Sequence, residues 1–199
     1  MITPRMALPC TPLLGTHIKL EPYSEALKAE VQQALDCDES AWDLFAISGQ
    51  GVHFETWWAN IKRASDAGTW VAYAIRDLAS ERIVGTTSFL NIKPEQQCAE
   101  IGATFLHPDV RASHVNPESK LLMLQHAFTS GARRVTLLTD VRNVRSQAAI
   151  AKLGAVREGV LRRERITWTG HIRDSVLYAI TDLDWPAVRD KLTARLAAL

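Results

Sequence analysis

The sequence predicts an α+β domain: a mixed, mostly antiparallel sheet flanked by helices. Three observations predict it. Period-two alternation recurs at residues 70–76, 82–92, 97–106, 155–168 and 171–181, which is the pattern of half-buried strands. The first three of these follow one another with no helical segment between them, unlike a βαβ repeat. No G-x-G-x-x-G occurs, so a doubly wound dinucleotide fold has no support.

Residues 1–13 hold three prolines and no period, and read as an irregular lead-in to a domain over 14–182. His17–Glu21 alternates cleanly and forms a strand closed by Pro22. Ser24 is placed to cap a first amphipathic helix carrying Leu27, Val31 and Leu35. Residues 36–51 read as loop, although Trp42, Leu44 and Phe45 are too apolar to be left in water. A second helix puts Phe54, Trp57, Trp58 and Ile61 on one stripe. That stripe either walls a cleft or covers one edge of the sheet, and aromatics at helical spacing usually belong to a core.

The strands at 70–76 and 82–92 make an antiparallel hairpin, and 97–106 adds a third strand interrupted by Gly102. An isolated glycine there marks a bulge or a close backbone approach. Asn116 reads as an N-cap with Pro117 at the first helical position, opening a helix that reaches Ser130. Val135, Leu137 and Leu138 form a short buried strand. On the helix that follows, Ser146, Ala149, Ile150 and Leu153 share one face, and Gly154 ends it. The segments 155–168 and 171–181 form a closing hairpin; the first bears Arg157, Arg162, Arg163 and Arg165, read as a solvated face or dimer rim. Residues 183–199 form a C-terminal helix with Trp185, Val188, Leu192, Leu196 and Leu199 in a stripe, packed on the domain or on a partner subunit.

Composition narrows the function classes. With 199 residues and 47% apolar content, one sizeable core is expected. A formal charge of +1 gives no electrostatic reason to expect nucleic acid or a membrane surface. Cys10, Cys37 and Cys98 form no C-x-x-C, and the six histidines show no ligand spacing, so neither a disulfide framework nor a metal is expected. There is no apolar run of spanning length and the N-terminal segment lacks an apolar core, which makes the cytoplasm the expected compartment.

Two places concentrate chemistry. Glu100 is a carboxylate between Ala99 and Ile101 in an apolar strand, sharing a face with Gly102; it serves either catalysis, exposure to solvent, or an ion pair. Asn143 and Ser146 stand at a helix N-terminus just beyond a strand end, where free N–H groups favour a polar or anionic ligand. The loop from His107 to Asn116 also feeds a capped helix, a natural phosphate cradle, to which Arg111 and Lys120 would add charge.

These pieces together resemble the GNAT superfamily of acetyl-CoA-dependent N-acetyltransferases, in the branch of the RimJ/RimL type that acetylates ribosomal-protein N-termini. The resemblance rests on A-E-I-G at 99–102, V-N-P-E-S-K-L-L-M-L-Q-H-A-F at 115–128, T-D-V-R-N-V-R-S-Q-A-A-I-A-K-L-G-A at 139–155 and R-D-S-V-L-Y-A-I at 173–180. It implies two parallel central strands that splay apart around acetyl-CoA as co-substrate. Backbone N–H groups of Arg111, Ala112, Ser113, His114 and Val115, with Asn116, would hold the pyrophosphate, and Asn143 the pantetheine arm. Ser146 would protonate the departing thiolate, Glu100 would take the amine proton through water, and strand N–H groups near Ile101 or Ala103 would polarise the thioester carbonyl. A non-catalytic acyl-CoA-binding or assembly domain is the rival expectation.

One departure from that family is visible. Its phosphate loop normally carries glycines, and none lies between Val110 and Gly131. A non-glycine residue forced to positive φ costs roughly 1 kcal/mol or more. Asn143 also has a purely structural role open to it, as the cap of its own helix. The acceptor is expected to be an α-amino group of a protein or a small-molecule amine, because an amine of pKa about 7.7–8.0 is far more often neutral than lysine at about 10.4. A homodimer through the arginine-rich hairpin and terminal helix is plausible on this reading.

Overall fold

The computed structural model describes residues 5–199; the first four residues of the expected lead-in lie outside them. Eight strands make one sheet in the order β1-β2-β3-β4-β5-β6-β8-β7. They are β1 (Leu13–Leu14), β2 (Ile18–Pro22), β3 (Val71–Asp77), β4 (Ile83–Lys93), β5 (Cys98–Leu106), β6 (Arg134–Asp140), β7 (Val156–Ile166) and β8 (Ile172–Thr181). Every neighbouring pair is antiparallel except β5–β6. The α+β expectation therefore holds, with one parallel pair at the middle of the sheet.

Helices cover both faces. On one side lie α1 (Lys28–Leu35), α2 (Glu39–Trp42) and α3 (Phe54–Asp66); on the other lie α4 (Val115–Thr129), α5 (Val144–Leu153) and α6 (Trp185–Ala197). The alternation of β3 divides the two cores: Val71, Tyr73 and Ile75 face α4, while Ala72 and Ala74 face the aromatic stripe of α3. Phe54, Trp57, Trp58 and Ile61 are all buried in that second core, so the stripe covers the sheet and walls no cleft. Each such side chain stabilises the fold by about 1.5–3 kcal/mol.

Some local expectations are corrected. The stretch 36–51 contains α2, because Asp38 accepts from the Ala41 amide at 3.3 Å and starts a turn that buries Trp42. Helix α4 begins at Val115 with His114 in the cap position, which makes Asn116 and Pro117 its second and third residues. The Pro117 ring is tolerated there because first-turn amides have no intrahelical acceptor. Ser24 makes no side-chain cap bond. The bulge on β5 falls just after Gly102: Thr86 faces Phe105 and Ser88 faces Gly102, leaving Thr87 opposite both Ala103 and Thr104. Ala103 takes φ 47° to make it.

The lead-in is docked: Met6 is buried in the main core and its amide bonds Pro94 O at 3.3 Å. Helix α6 packs on α4, with Trp185 stacked on Phe128 at 5.3 Å and Val188 and Leu192 buried.

Candidate active site

The parallel pair is short. Cys98, Ala99 and Glu100 face Arg134, Val135 and Thr136, and no pairing continues beyond them. The bulge at Ala103–Thr104 bends β5 away from β6, as an extra residue on one strand does. A cavity of about 390 Å³ opens in the gap, lined by Glu100 and the following residues of β5, by Leu137–Thr139 of β6, and by α5. Beyond Glu100, the edge of β5 facing β6 is left without a strand partner, so its amides and carbonyls are available there.

Glu100 lies at the base of this opening and is only 7% exposed. Asn91 Nδ2 donates to its Oε2 at 2.8 Å. Burial raises its pKa above the ordinary carboxylate value, with the Asn91 bond and the positive charge of Arg165 opposing the rise. Gly102 keeps the neighbouring space open: a Cβ there would lie 2.8 Å from Leu90 Cδ1 and 3.3 Å from Glu100 Oε1. The glycine thus marks a close approach beside the carboxylate. Ile101 and Ala103 line the cavity with it.

The loop before α4 presents amides. Those of Ala112, Ser113, His114 and Asn116 donate to no acceptor among the described residues. The Arg111 amide is bonded to Pro108 O at 3.1 Å and the Val115 amide to Ser113 Oγ at 3.2 Å, which removes both from the expected donor set. The side chains of Ser113 and His114 are both engaged elsewhere. Ser113 Oγ turns inward to donate to Val110 O at 2.7 Å. His114 packs its ring on His17 at 4.6 Å, away from the cavity. Ala112 adopts φ 63°, so the left-handed position that the missing glycine would have served is occupied by a residue with a Cβ.

At the start of α5, Asn143 is the cap: its Oδ1 accepts from the Ser146 amide at 2.9 Å. That occupies the oxygen and leaves the amide nitrogen free to donate. Ser146, Ala149, Ile150 and Leu153 all line the cavity, as their spacing predicts.

Three cavity residues differ from what their sequence setting suggests. Arg165 turns inward, whereas Arg157, Arg162 and Arg163 stay exposed. A one-residue register shift between Arg157 and Gly159 puts Arg165 on the opposite side of the strand from Arg157, and it pairs with Arg173. Its guanidinium is held by Glu164, which also accepts from Ser175 Oγ at 3.0 Å. Arg173, on β8 opposite Arg165, is 6% exposed and lines the same cavity. Lys120 was expected among the phosphate-loop charges; instead its Nζ is buried under β4 and β5, donating to Thr104 Oγ1 at 2.8 Å and Thr87 Oγ1 at 3.2 Å. Burial lowers its pKa to about 7. Arg111 likewise spends its charge elsewhere, on Asp38 at 2.6 Å. Tyr178 is buried in the main core. Among the described residues no cluster of three potential metal ligands exists, and the three cysteines are free.

The sequence pattern of the acetyltransferase (GNAT) domain matches residues 18–156. The chain belongs to the GNAT family. This GNAT domain shares its fold with a GCN5-related N-acetyltransferase from Brucella melitensis at TM-score 0.88 and 25% identity, covering 98% of this chain and 89% of that one. A T. thermophilus protein provisionally described as an acetyltransferase is 34% identical over 96% of this chain and 98% of its own, at TM-score 0.83. Mycobacterium smegmatis RimJ, solved with CoA-disulfide, aligns at TM-score 0.78 and 20% identity over 93% of each chain. No protein of curated description matches. GNAT enzymes use acetyl-CoA as acetyl donor, and this GNAT chain is accordingly an acetyltransferase. Every site residue nominated from sequence lies within the matched stretch; Arg165 and Arg173 lie after it.

Proposed function

We propose that this GNAT domain transfers an acetyl group from acetyl-CoA directly to a primary amine, either a protein N-terminal α-amino group, as in the RimJ/RimL branch, or a small-molecule amine. The observation that carries the reading is the gap between β5 and β6, with Glu100 at its base and Ala112 and Asn116 of the loop of unbonded amides among its lining.

The residues fit the group. The amides of Ala112, Ser113, His114 and Asn116, which have no acceptor of their own among the described residues, would hold the pyrophosphate at the N-terminus of the fifteen-residue helix α4. No glycine is required for that, because the donors are backbone groups and Ala112 already holds the left-handed conformation. When bound, acetyl-CoA supplies the activated acetyl thioester.

The chain's own groups do the rest. Asn143 donates from its free amide nitrogen to the pantetheine arm. The unpaired edge of β5 around Ile101 and Ala103 offers amides to the thioester carbonyl. Glu100, directly or through one water, takes the proton of the incoming ammonium and frees the lone pair that attacks the thioester; its raised pKa brings it closer to the amine it must deprotonate. Ser146 holds a hydroxyl proton for the departing thiolate. An α-amino group suits this apparatus better than lysine, since it is already partly neutral near pH 7.

A thermal-shift titration with acetyl-CoA, followed by thiol release against a panel of amines, tests the reading. Stabilisation at micromolar acetyl-CoA with amine-dependent thiol release is expected. Stabilisation without release for any amine would instead favour a non-catalytic acyl-CoA-binding domain.

A further inference from the structure

We infer that Arg173 binds an anionic group of the acceptor, and that the acceptor is an amine carrying a carboxylate within a few bonds of the reacting nitrogen. The inference rests on the acetyl-transfer reading for the identity of the cleft, and adds the acceptor's chemical class.

One guanidinium on the cavity wall lacks an ion pair. Arg173 is more than nine-tenths buried, and its one hydrogen bond among the described residues runs from Nε to Ser175 Oγ at 2.9 Å. Neither terminal nitrogen has a partner there, and no carboxylate reaches it for an ion pair. The half-buried arginines are different: Arg165 is held by Glu164, Arg134 by Glu158, Arg111 by Asp38, and Arg76 by Glu21 and Glu30. The carboxylates near Arg173 are already committed. Asp140 accepts from the Arg142 amide and guanidinium, Glu164 from Arg165 and Ser175, and Glu100 from Asn91.

Arginine stays charged, and with no ion pair of its own the Arg173 guanidinium presents its terminal nitrogens to the cavity, where an entering anion is held in a partly desolvated setting. Ser175 fixes the guanidinium through Nε and leaves its planar fork open to the cavity that it lines. That fork matches a carboxylate in bidentate fashion. Arg145 also lines the cavity but is exposed, so water satisfies it and it implies nothing.

Glu100 lines the same cavity, and the two charges act on one another. Deep in the pocket a carboxylate thus stands beside a guanidinium that has no ion pair, the complement of a molecule carrying both an ammonium and a carboxylate. A free α-amino acid has that form. So does a peptide whose first residue is Asp or Glu.

The test uses the full chain and the L-amino acids, their α-carboxamides, and tripeptides beginning with Asp, Glu or Ala. Thermal-shift titrations read binding without turnover, and thiol release with acetyl-CoA is read in parallel. At least one acid is expected to bind about thirtyfold more tightly than its carboxamide, the discrimination a lost charged hydrogen bond produces. Arg173→Gln should bring that ratio close to one, and Arg173→Lys should retain part of it. Preference for free acids identifies an amino-acid acceptor; preference for Asp- or Glu-led tripeptides over Ala-led ones identifies a peptide N-terminus. If no carboxylate-bearing amine outbinds its neutral counterpart, or if Arg173→Gln keeps the preference, the inference is overturned. Should neither variant fold, the acid-to-carboxamide comparison on the unmodified chain still decides. Failure of acetyl-CoA itself to stabilise the protein would be a separate result, striking the acetyl-transfer reading.

Discussion

Asn91 donates a hydrogen bond to Glu100 across the β4–β5 pair, Nδ2 to Oε2 at 2.8 Å, and adopts φ 48° to reach it. The bond steadies a carboxylate that burial pushes toward its neutral form. A group with a raised folded pKa destabilises the fold above that pKa and is neutral in both states below the ordinary value. Glu100→Gln should therefore raise Tm at pH 7, with the gain vanishing near pH 4. As the proposed base, Glu100 supports activity only when ionised, so the same substitution should lower kcat by about 10²–10⁴-fold. Asn91→Ala removes a contact that lowers the pKa, so the acid limb of the kcat/KM profile should move to higher pH. A Glu100→Gln protein with undiminished turnover would remove the carboxylate from the mechanism.

Lys120 makes an opposite statement about pH. Its folded pKa is depressed to about 7 from 10.5 by burial. For a base lowered in this way, the penalty is fully present below about pH 7 and disappears as pH rises toward 10.5. The stability of the unmodified chain should thus climb between those values. Lys120→Met should be more stable at pH 6, by up to about 4 kcal/mol, and should lose that advantage at pH 10. Thr87 and Thr104 remain bonded to each other at 2.8 Å, so the substitution orphans no hydroxyl. Denaturant melts across pH 6–10 provide the check; parallel curves for the two proteins would contradict it.

What the sequence made legible follows from how local each signal was. The α5 face of Ser146, Ala149, Ile150 and Leu153 depends on one helical period and was readable directly. Glu100 stood out because a charge in an apolar strand is anomalous by itself. Lys120 did not, because α4 is covered on two sides: Glu118, Ser119 and Lys120 are buried while Leu121 and Leu122 are only half-buried. An amphipathic stripe describes a helix with one buried face and misassigns such a case. Arg165 was hidden among arginines by a register shift that no strand alternation announces, and Arg173 lies far from Glu100 in sequence. Tertiary placement, and not residue type, brings them to the cavity.

Asn143 serves two purposes that can be separated by substitution. Its Oδ1 caps α5 through the Ser146 amide, and its nitrogen is the proposed pantetheine donor. Asn143→Asp keeps a good cap but replaces the donor with an acceptor. Tm should change little while KM for acetyl-CoA rises at least about tenfold. Asn143→Ala should lose both, with an additional cost of about 1 kcal/mol in stability. Equal acetyl-CoA affinity in the Asp variant and the unmodified chain would leave the residue as a cap alone.

Ala112 holds φ 63° in the amide cradle. Glycine would relieve the Cβ clash at that conformation, offset partly by the entropy it adds to the unfolded chain, for a net gain of about 0.5–1 kcal/mol. Ala112→Gly should accordingly raise Tm by about 1–4 °C and leave acetyl-CoA binding intact or tighter. Ala112→Val should lower Tm, since a β-branched residue tolerates positive φ poorly. A destabilised glycine variant would show that the positive φ is not strained.

Trp168 joins the tip of the β7–β8 hairpin to the segment that roofs the cavity. Its Nε1 donates to Trp42 O at 2.9 Å, its amide donates to Ala46 O at 3.0 Å, and its ring lies 5.0 Å from that of His53. Leu44, Phe45 and Ile47 of that segment line the cavity, yet their own stretch contains only the one-turn helix α2, so its order depends on being held from outside. Trp168→Phe keeps the apolar ring and removes the Nε1 donor, leaving Trp42 O with the Phe45 amide alone. Hydrogen exchange at residues 43–53 should then quicken while α4 and α5 exchange as before. KM for the acceptor should rise, because Leu44, Phe45 and Ile47 of the loosened segment line the cavity. Unchanged exchange in 43–53 would show that the backbone bond to Ala46 is sufficient to hold the roof.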